Sequence, residues 1–228
     1  MRRSLSLAAA LLLAICGCVN AADEAADNDA DSTSRVNGSI HVPDGAQRSD
    51  LSTVNGSIHI GNAATVAAAH TVNGTITLGA RSTAASLRTV NGSITVDRGA
   101  HVSATVTSVN GALTLHDAAR VAGGVANVNG VIELTAAQVG GGLETVNGDV
   151  TLSGGSHVDG GLLVKRPSGA HNFENHIPRI VIGPGTTVAG NLNFEREVKL
   201  YVSDRATIGA VSGATAIRFS GESPPLDL

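Results

Sequence analysis

The sequence predicts an all-β fold: a single-stranded parallel β-solenoid of about nine coils, each of 18–20 residues, and right-handed. Three observations predict it. Val-Asn-Gly recurs seven times, beginning at Val36, Val54, Val72, Val90, Val109, Val128 and Val146, in steps of 18, 18, 18, 19, 19 and 18 residues. A fixed short period marks a unit that cannot bury its apolar side alone and must stack on copies of itself. Within each period apolar and polar residues alternate, as in Ile58-His59-Ile60, Ile76-Thr77-Leu78 and Ile94-Thr95-Val96, which is the pattern of a strand. No 3.6-residue apolar stripe persists after residue 35, so helices are not expected there.

The elements follow in order. Residues 1–18 combine Met-Arg-Arg, an apolar run from Leu7 to Ile15 and Cys16-Gly17-Cys18, the layout of a secretory signal too short to span a membrane comfortably. Ile15-Cys16-Gly17-Cys18 is similar to a bacterial lipobox and makes Cys18 the expected lipid-attachment residue, although Cys16 departs from the usual second position. Ordinary cleavage after Ala21 is the alternative. Both cysteines precede the repeats, so neither a disulfide nor a cysteine metal site is expected within them. Residues 19–35 form an acidic tether: between residues 21 and 34 there are five acids and no large apolar side chain, a composition that stays disordered and extended.

The solenoid is expected over 36–221, with its regular part at 36–164. Asn-Gly between apolar residues is also a hairpin signal. However, the residues before it vary (Leu51-Ser-Thr, Ala69-His-Thr, Leu87-Arg-Thr), and a hairpin array gives no reason for an 18-residue step. Asn-Gly is therefore read as a corner, where Gly38, Gly56, Gly74, Gly92, Gly111, Gly130 and Gly148 accept a positive φ and asparagine tolerates one. Stacking at about 4.8 Å places Asn37, Asn55, Asn73, Asn91, Asn110, Asn129 and Asn147 in one hydrogen-bonded ladder.

The pattern around Val150, Val158 and Leu162 returns at Ile180, Val188 and Leu192, a shift of 30 residues. The excess falls at 165–179, an expected projecting loop. The segment 180–221 supplies the C-terminal coils or cap, and 222–228, with Pro224-Pro225, a tail.

Few residues suggest chemistry. His41 and His59 should stack on adjacent coils, but the column continues as Thr77, Thr95, Thr114, Glu133 and Thr151, without a third ligand. No metal and no cofactor are expected. Asn37, Asn55, Asn73 and Asn91 match a glycosylation pattern that corner geometry already explains. Asp117, Glu133 and Asp149 fall at different phases, so paired catalytic carboxylates are not expected. Hexapeptide acyltransferases also use 18-residue coils, but their glycine rhythm is missing here. A net charge of −4 argues against nucleic-acid binding. All the aromatics, Phe173, Phe194, Tyr201 and Phe219, and seven of fifteen basic residues lie in the C-terminal third. They suit a cap or a contact surface, with Lys165, Arg166, Phe173 and Arg179 as the candidate partner contacts because long loops on regular scaffolds tend to carry function.

The repeated Val-Asn-Gly-Ser-Ile behind a lipoprotein-type signal resembles the bacterial adhesin family of β-helical envelope proteins, well over residues 36–164 and weakly beyond. The coil length also resembles the bactofilins, which polymerise end to end. The first resemblance implies a non-catalytic lipoprotein of the cell envelope, facing the periplasm or the surface. It would act as an adhesin-like or structural binding scaffold with an envelope protein or glycan as partner. The second implies self-association through coil ends. A polysaccharide-active β-helix enzyme is the third reading.

Overall fold

A computed structural model describes residues 32–167 and 176–225. The expected signal and Cys18, most of the tether, Phe173 and the last three residues lie outside that range. Every pairing between strands is parallel, in one 10-stranded sheet of short strands and one 17-stranded sheet. The chain is a β-solenoid. Its first strand, Thr33–Asn37, takes up the end of the segment assigned to the tether.

The 10-stranded sheet counts the coils, from Ile40–Val42 through Ile58–Ile60 to Lys199–Ser203 and Ala216–Phe219. Ten coils result, one more than expected, because Ala216 pairs with Leu200 after only 16 residues and carries no Val-Asn-Gly mark. Elsewhere register follows the repeat. Ile40, Ile58, Ile76 and Ile94 form one fully buried column, continued by Leu113, Ile132, Val150, Ile180 and Leu200. Leu51, Ala69, Leu87 and Val106 form another. Each coil buries its aliphatics against those above and below, so the apolar core runs along the axis. The inserted segment does not disturb this phase: Leu152 pairs with Ile182 and Val158 with Val188.

One extra residue changes the shape of the coil. Thr83 pairs with His101 but Leu87 pairs with Val106, so the added residue lies between Val102 and Val106. The nine-residue strand Thr83–Asn91 is thereby replaced by two short ones, His101–Val102 and Val106–Thr107. A single inserted residue cannot be absorbed in a parallel ladder without a bend. From there to Ser212 each coil carries three strands, as the first coil, with Gln47–Arg48 and Leu51–Asn55, also does.

A second corner follows each strand of the 10-stranded sheet. A β-turn closes there, with Ala46 N–H donating to Pro43 O (3.2 Å), Ala100 N–H to Asp97 O (3.0 Å) and Ala119 N–H to His116 O (2.9 Å). Its third residue is left-handed: Gly45 (φ 69°), Ala63 (53°), Arg81 (58°), Gly99 (67°) and Ala118 (57°). The residue after it is small and buried, as at Ala64, Ser82, Ala100, Ala119 and Ala137. An L-residue in this conformation costs about 1–2 kcal/mol, partly offset by the lower chain entropy of a non-glycine residue. Replacing exposed Ala63 by Gly should therefore stabilise the fold by about 0.5–1 kcal/mol, read as a rise in the thermal unfolding midpoint.

Candidate functional site: the asparagine corner and the inserted loop

The asparagine ladder is continuous. Each side-chain amide donates to the rung before it: Asn55 Nδ2 to Asn37 Oδ1 (3.0 Å), Asn73 to Asn55, Asn91 to Asn73, Asn110 to Asn91 and Asn129 to Asn110 (each 2.9 Å), and Asn147 to Asn129 (2.8 Å). Asn55, Asn73 and Asn91 end extended strands and pair backbone to backbone. Their role is the ladder, not tolerance of a positive φ: the non-glycine residues at positive φ belong to the other corner. The glycines need explaining differently too. Gly38, Gly92, Gly111 and Gly130 have positive φ, but Gly56, Gly74 and Gly148 do not. What six of the seven share is close approach between coils: a Cβ on Gly74 would lie 2.0 Å from Gly56 O, and one on Gly148 would lie 1.9 Å from Gly130 O.

A second ladder lies beneath the first, and the sequence reading passed over it. Thr53 Oγ1 donates to Gly38 O (3.1 Å), Thr71 to Gly56 O (2.9 Å) and Thr89 to Gly74 O (3.1 Å). Ser108 continues it to Gly92 O (3.1 Å) and Asn127 Nδ2 to Gly111 O (2.7 Å). These side chains are buried, whereas Asn37 through Asn110 are exposed. The buried hydroxyls satisfy the corner carbonyls that glycine brings so close to the next coil. The signal was present as threonine two residues before Asn55, Asn73, Asn91 and Asn147.

The asparagine ladder ends on a cation. Arg196 Nη1 donates to Asn147 Oδ1 and to Val146 O (3.1 Å), and its Nη2 to His176 O (2.8 Å). Arg196 lies in a coil beyond the insertion, so no local pattern announced this contact.

Of the residues expected to meet a partner, Phe173 lies outside the described residues, and Lys165, Arg166 and Arg179 are engaged within the chain. Lys165 Nζ is 2.5 Å from Glu144 Oε1. Arg166 donates its N–H to Glu195 Oε2 (3.1 Å) and its Nε–H to Glu195 O (3.3 Å). Arg179 opens the strand Arg179–Ile182, donates its N–H to Asp149 Oδ1 (2.8 Å) and sets its guanidinium 4.8 Å from the Tyr201 ring centre. His176 Nε2 also meets Asp149 Oδ1, at 2.9 Å. Beside them is a cleft of about 510 Å³ lined by Pro167, Ile177, Arg196 and Glu197. The described aromatics fall in two places. Phe194 joins the core, while Tyr201 and Phe219 cluster with Val181 on an outer face. In the last coil Ile208, Val211, Ala214 and Ala216 are only partly buried.

His41 and His59 stack, with ring centres 5.3 Å apart and planes 4° from parallel. Among the described residues no group of three or more His, Cys, Asp or Glu is placed to hold a metal. Asp44 nearby is held below the usual carboxylate range, chiefly by the Asn62 backbone N–H (2.7 Å) and its side-chain amide. Asp117 pairs with Arg98 (3.4 Å), Glu133 lies in the column between Thr114 and Thr151, and Asp149 serves the loop. The three carboxylates flagged in the sequence are thus placed in three different settings. No protein-family model matches this chain, and no curated protein or solved structure matches it.

The two ladders should differ in energetic weight. Thr89→Val keeps the shape but leaves Gly74 O buried and unpaired, a loss of about 1–3 kcal/mol. Asn91→Leu breaks the conspicuous ladder, but water can reach the amides left behind, so its cost should be about 1 kcal/mol or less. Chemical denaturation of both variants ranks them.

Half-buried His70 adds a pH dependence. Burial first, and Arg88 next, push its imidazole below the ordinary value of 6.5, with Asp50 opposing. A histidine depressed in the folded state binds protons more readily when unfolded, so its contribution is complete above 6.5 and is lost as pH falls through the folded value. The unfolding midpoint should drop over that range, and His70→Gln should flatten the drop.

Proposed function

We propose that this chain is a non-catalytic scaffold of the cell envelope: a rigid rod held to a membrane by a lipid on Cys18, presenting its C-terminal coils to an envelope protein or glycan. The observation that carries the reading is the continuity of core and ladders through the coils. Polar side chains at the corners bond along the axis to one another, which makes a stiff spacer of roughly 43 Å from nine rises of about 4.8 Å between ten coils. At the far end Arg179 lies over a buried cluster of Val181, Tyr201 and Phe219, a packed patch that the regular coils do not share.

A second reading, end-to-end polymerisation, is favoured by one observation. The last coil leaves Ile208, Val211, Ala214 and Ala216 only partly covered, and Ala216–Phe219 stands at the end of its sheet's strand order. Such an edge is a template for further pairing.

One experiment tests both. The native protein should fractionate with membranes and Cys18→Ala should not; continued membrane partition of the variant would remove the lipid anchor. Light scattering of the released variant over a concentration series should then give a constant monomer mass for the display scaffold. Growth with concentration would put polymerisation first.

A further inference from the structure

Asn-Gly is the dipeptide in which succinimide chemistry is least hindered. The glycine nitrogen attacks the asparagine side-chain carbonyl carbon, ammonia leaves, and water opens the ring to aspartate or isoaspartate. Glycine matters because no Cβ shields the attacking nitrogen. This chain carries the pair seven times, and the fold treats the seven differently.

The four pairs from Asn55-Gly56 to Asn110-Gly111 are blocked on both sides of the reaction, and Asn129 is fixed on its side chain by Asn110 and Asn147. At Asn91-Gly92 the side chain is fixed by its Nδ2–H to Asn73 and by the Asn110 amide on its Oδ1, both at 2.9 Å. The nucleophile is engaged as well, with Gly92 N–H donating to Asn110 O at 2.8 Å. The backbone cannot swing, because Gly92 lies against the preceding corner: a Cβ there would be 2.0 Å from Gly74 O. At the far end of the ladder Asn147 is fixed by Asn129 and Arg196, and Gly148 N–H donates to Thr145 Oγ1 (3.0 Å).

Asn37-Gly38 differs in three respects. Asn37 accepts from Asn55 but has, among the described residues, no earlier rung to which it can donate. Residues 34–39 are all exposed. Among the described residues, a Cβ on Gly38 would meet nothing nearer than the Arg35 side chain at 3.9 Å, so no described coil pins this corner from the N-terminal side. Its remaining restraint on the nucleophile, Gly38 N–H to Asn55 O (2.9 Å), belongs to an edge coil, and edges open locally at low cost.

We propose that Asn37 is a site of spontaneous modification, converted through a succinimide to aspartate or isoaspartate, while the ladder protects the other six pairs. Asn37 is also the rung at which the ladder tolerates aspartate. It acts there only as an acceptor, and a carboxylate oxygen accepts from Asn55 Nδ2 as well as an amide oxygen does. At any other rung aspartate has no N–H to give to the rung before it.

The test is peptide-level mass spectrometry of the full chain after incubation at mildly alkaline pH, folded and in urea. In the folded protein Asn37 should be modified first, with the interior rungs slower by roughly tenfold or more, the factor set by local opening. In urea all seven should react at similar rates. An interior rung as fast as Asn37 in the folded protein, or identical folded and urea patterns, would overturn the proposal. A second measurement is independent of reaction rate: Asn37→Asp should leave the unfolding midpoint unchanged and Asn91→Asp should lower it. Equal losses in the two would overturn the acceptor-only role of Asn37.

Discussion

One distance governs this molecule: the spacing between backbones paired in a parallel sheet. It brings equivalent residues of successive coils within hydrogen-bond reach, so a side chain that suits one coil must also suit the copies above and below it. Identical amides satisfy that demand because each offers both a donor and an acceptor. Identical aliphatics satisfy it by dispersion. Uncharged threonines satisfy it on the outward column that runs through Thr77 and Thr95. The same distance excludes a Cβ at most of the Asn-Gly corners.

Much of this could be read from the sequence because a repeat makes every coil a restatement of the last. The period gave parallel stacking, the register of Ile40 on Ile58 and onward, the asparagine ladder and the 30-residue shift across the insertion. The threonine beneath each corner was just as regular in its first three coils. It escaped notice because its partner is a backbone carbonyl of another coil, and a sequence pattern shows side-chain identities and not the carbonyls they face. The left-handed corner escaped for another reason. Glycine marks it at Gly45 and Gly99 but alanine or arginine at Ala63, Arg81 and Ala118, so tertiary stacking overrides local preference there. Arg196 on Asn147 joins parts of the chain with no periodic relation, and only the fold reveals it.

In the C-terminal third composition says little about position. Aromatic and basic residues gathered in one region suggest a cap and a projecting contact loop. In the fold Phe194 occupies the core column below Val164, and Tyr201 stacks outward under Arg179. Lys165 and Arg166 bind Glu144 and Glu195, so the described stem of the insertion lies against the body of the solenoid. Charge on a loop is as able to fasten that loop as to recruit a partner.

The asparagine ladder has a direction, since every rung donates toward the N-terminal coil. Its amide dipoles therefore add head to tail along the axis, as peptide dipoles add in an α-helix, although here side chains do it in a protein built of sheets. The column has a positive pole at Asn37 and a negative pole at Asn147. The guanidinium of Arg196 sits on the negative pole, where a helix would carry its C-terminal cation. The solenoid thus acquires from one residue type a polarity that its parallel strands, whose own dipoles largely cancel, do not supply.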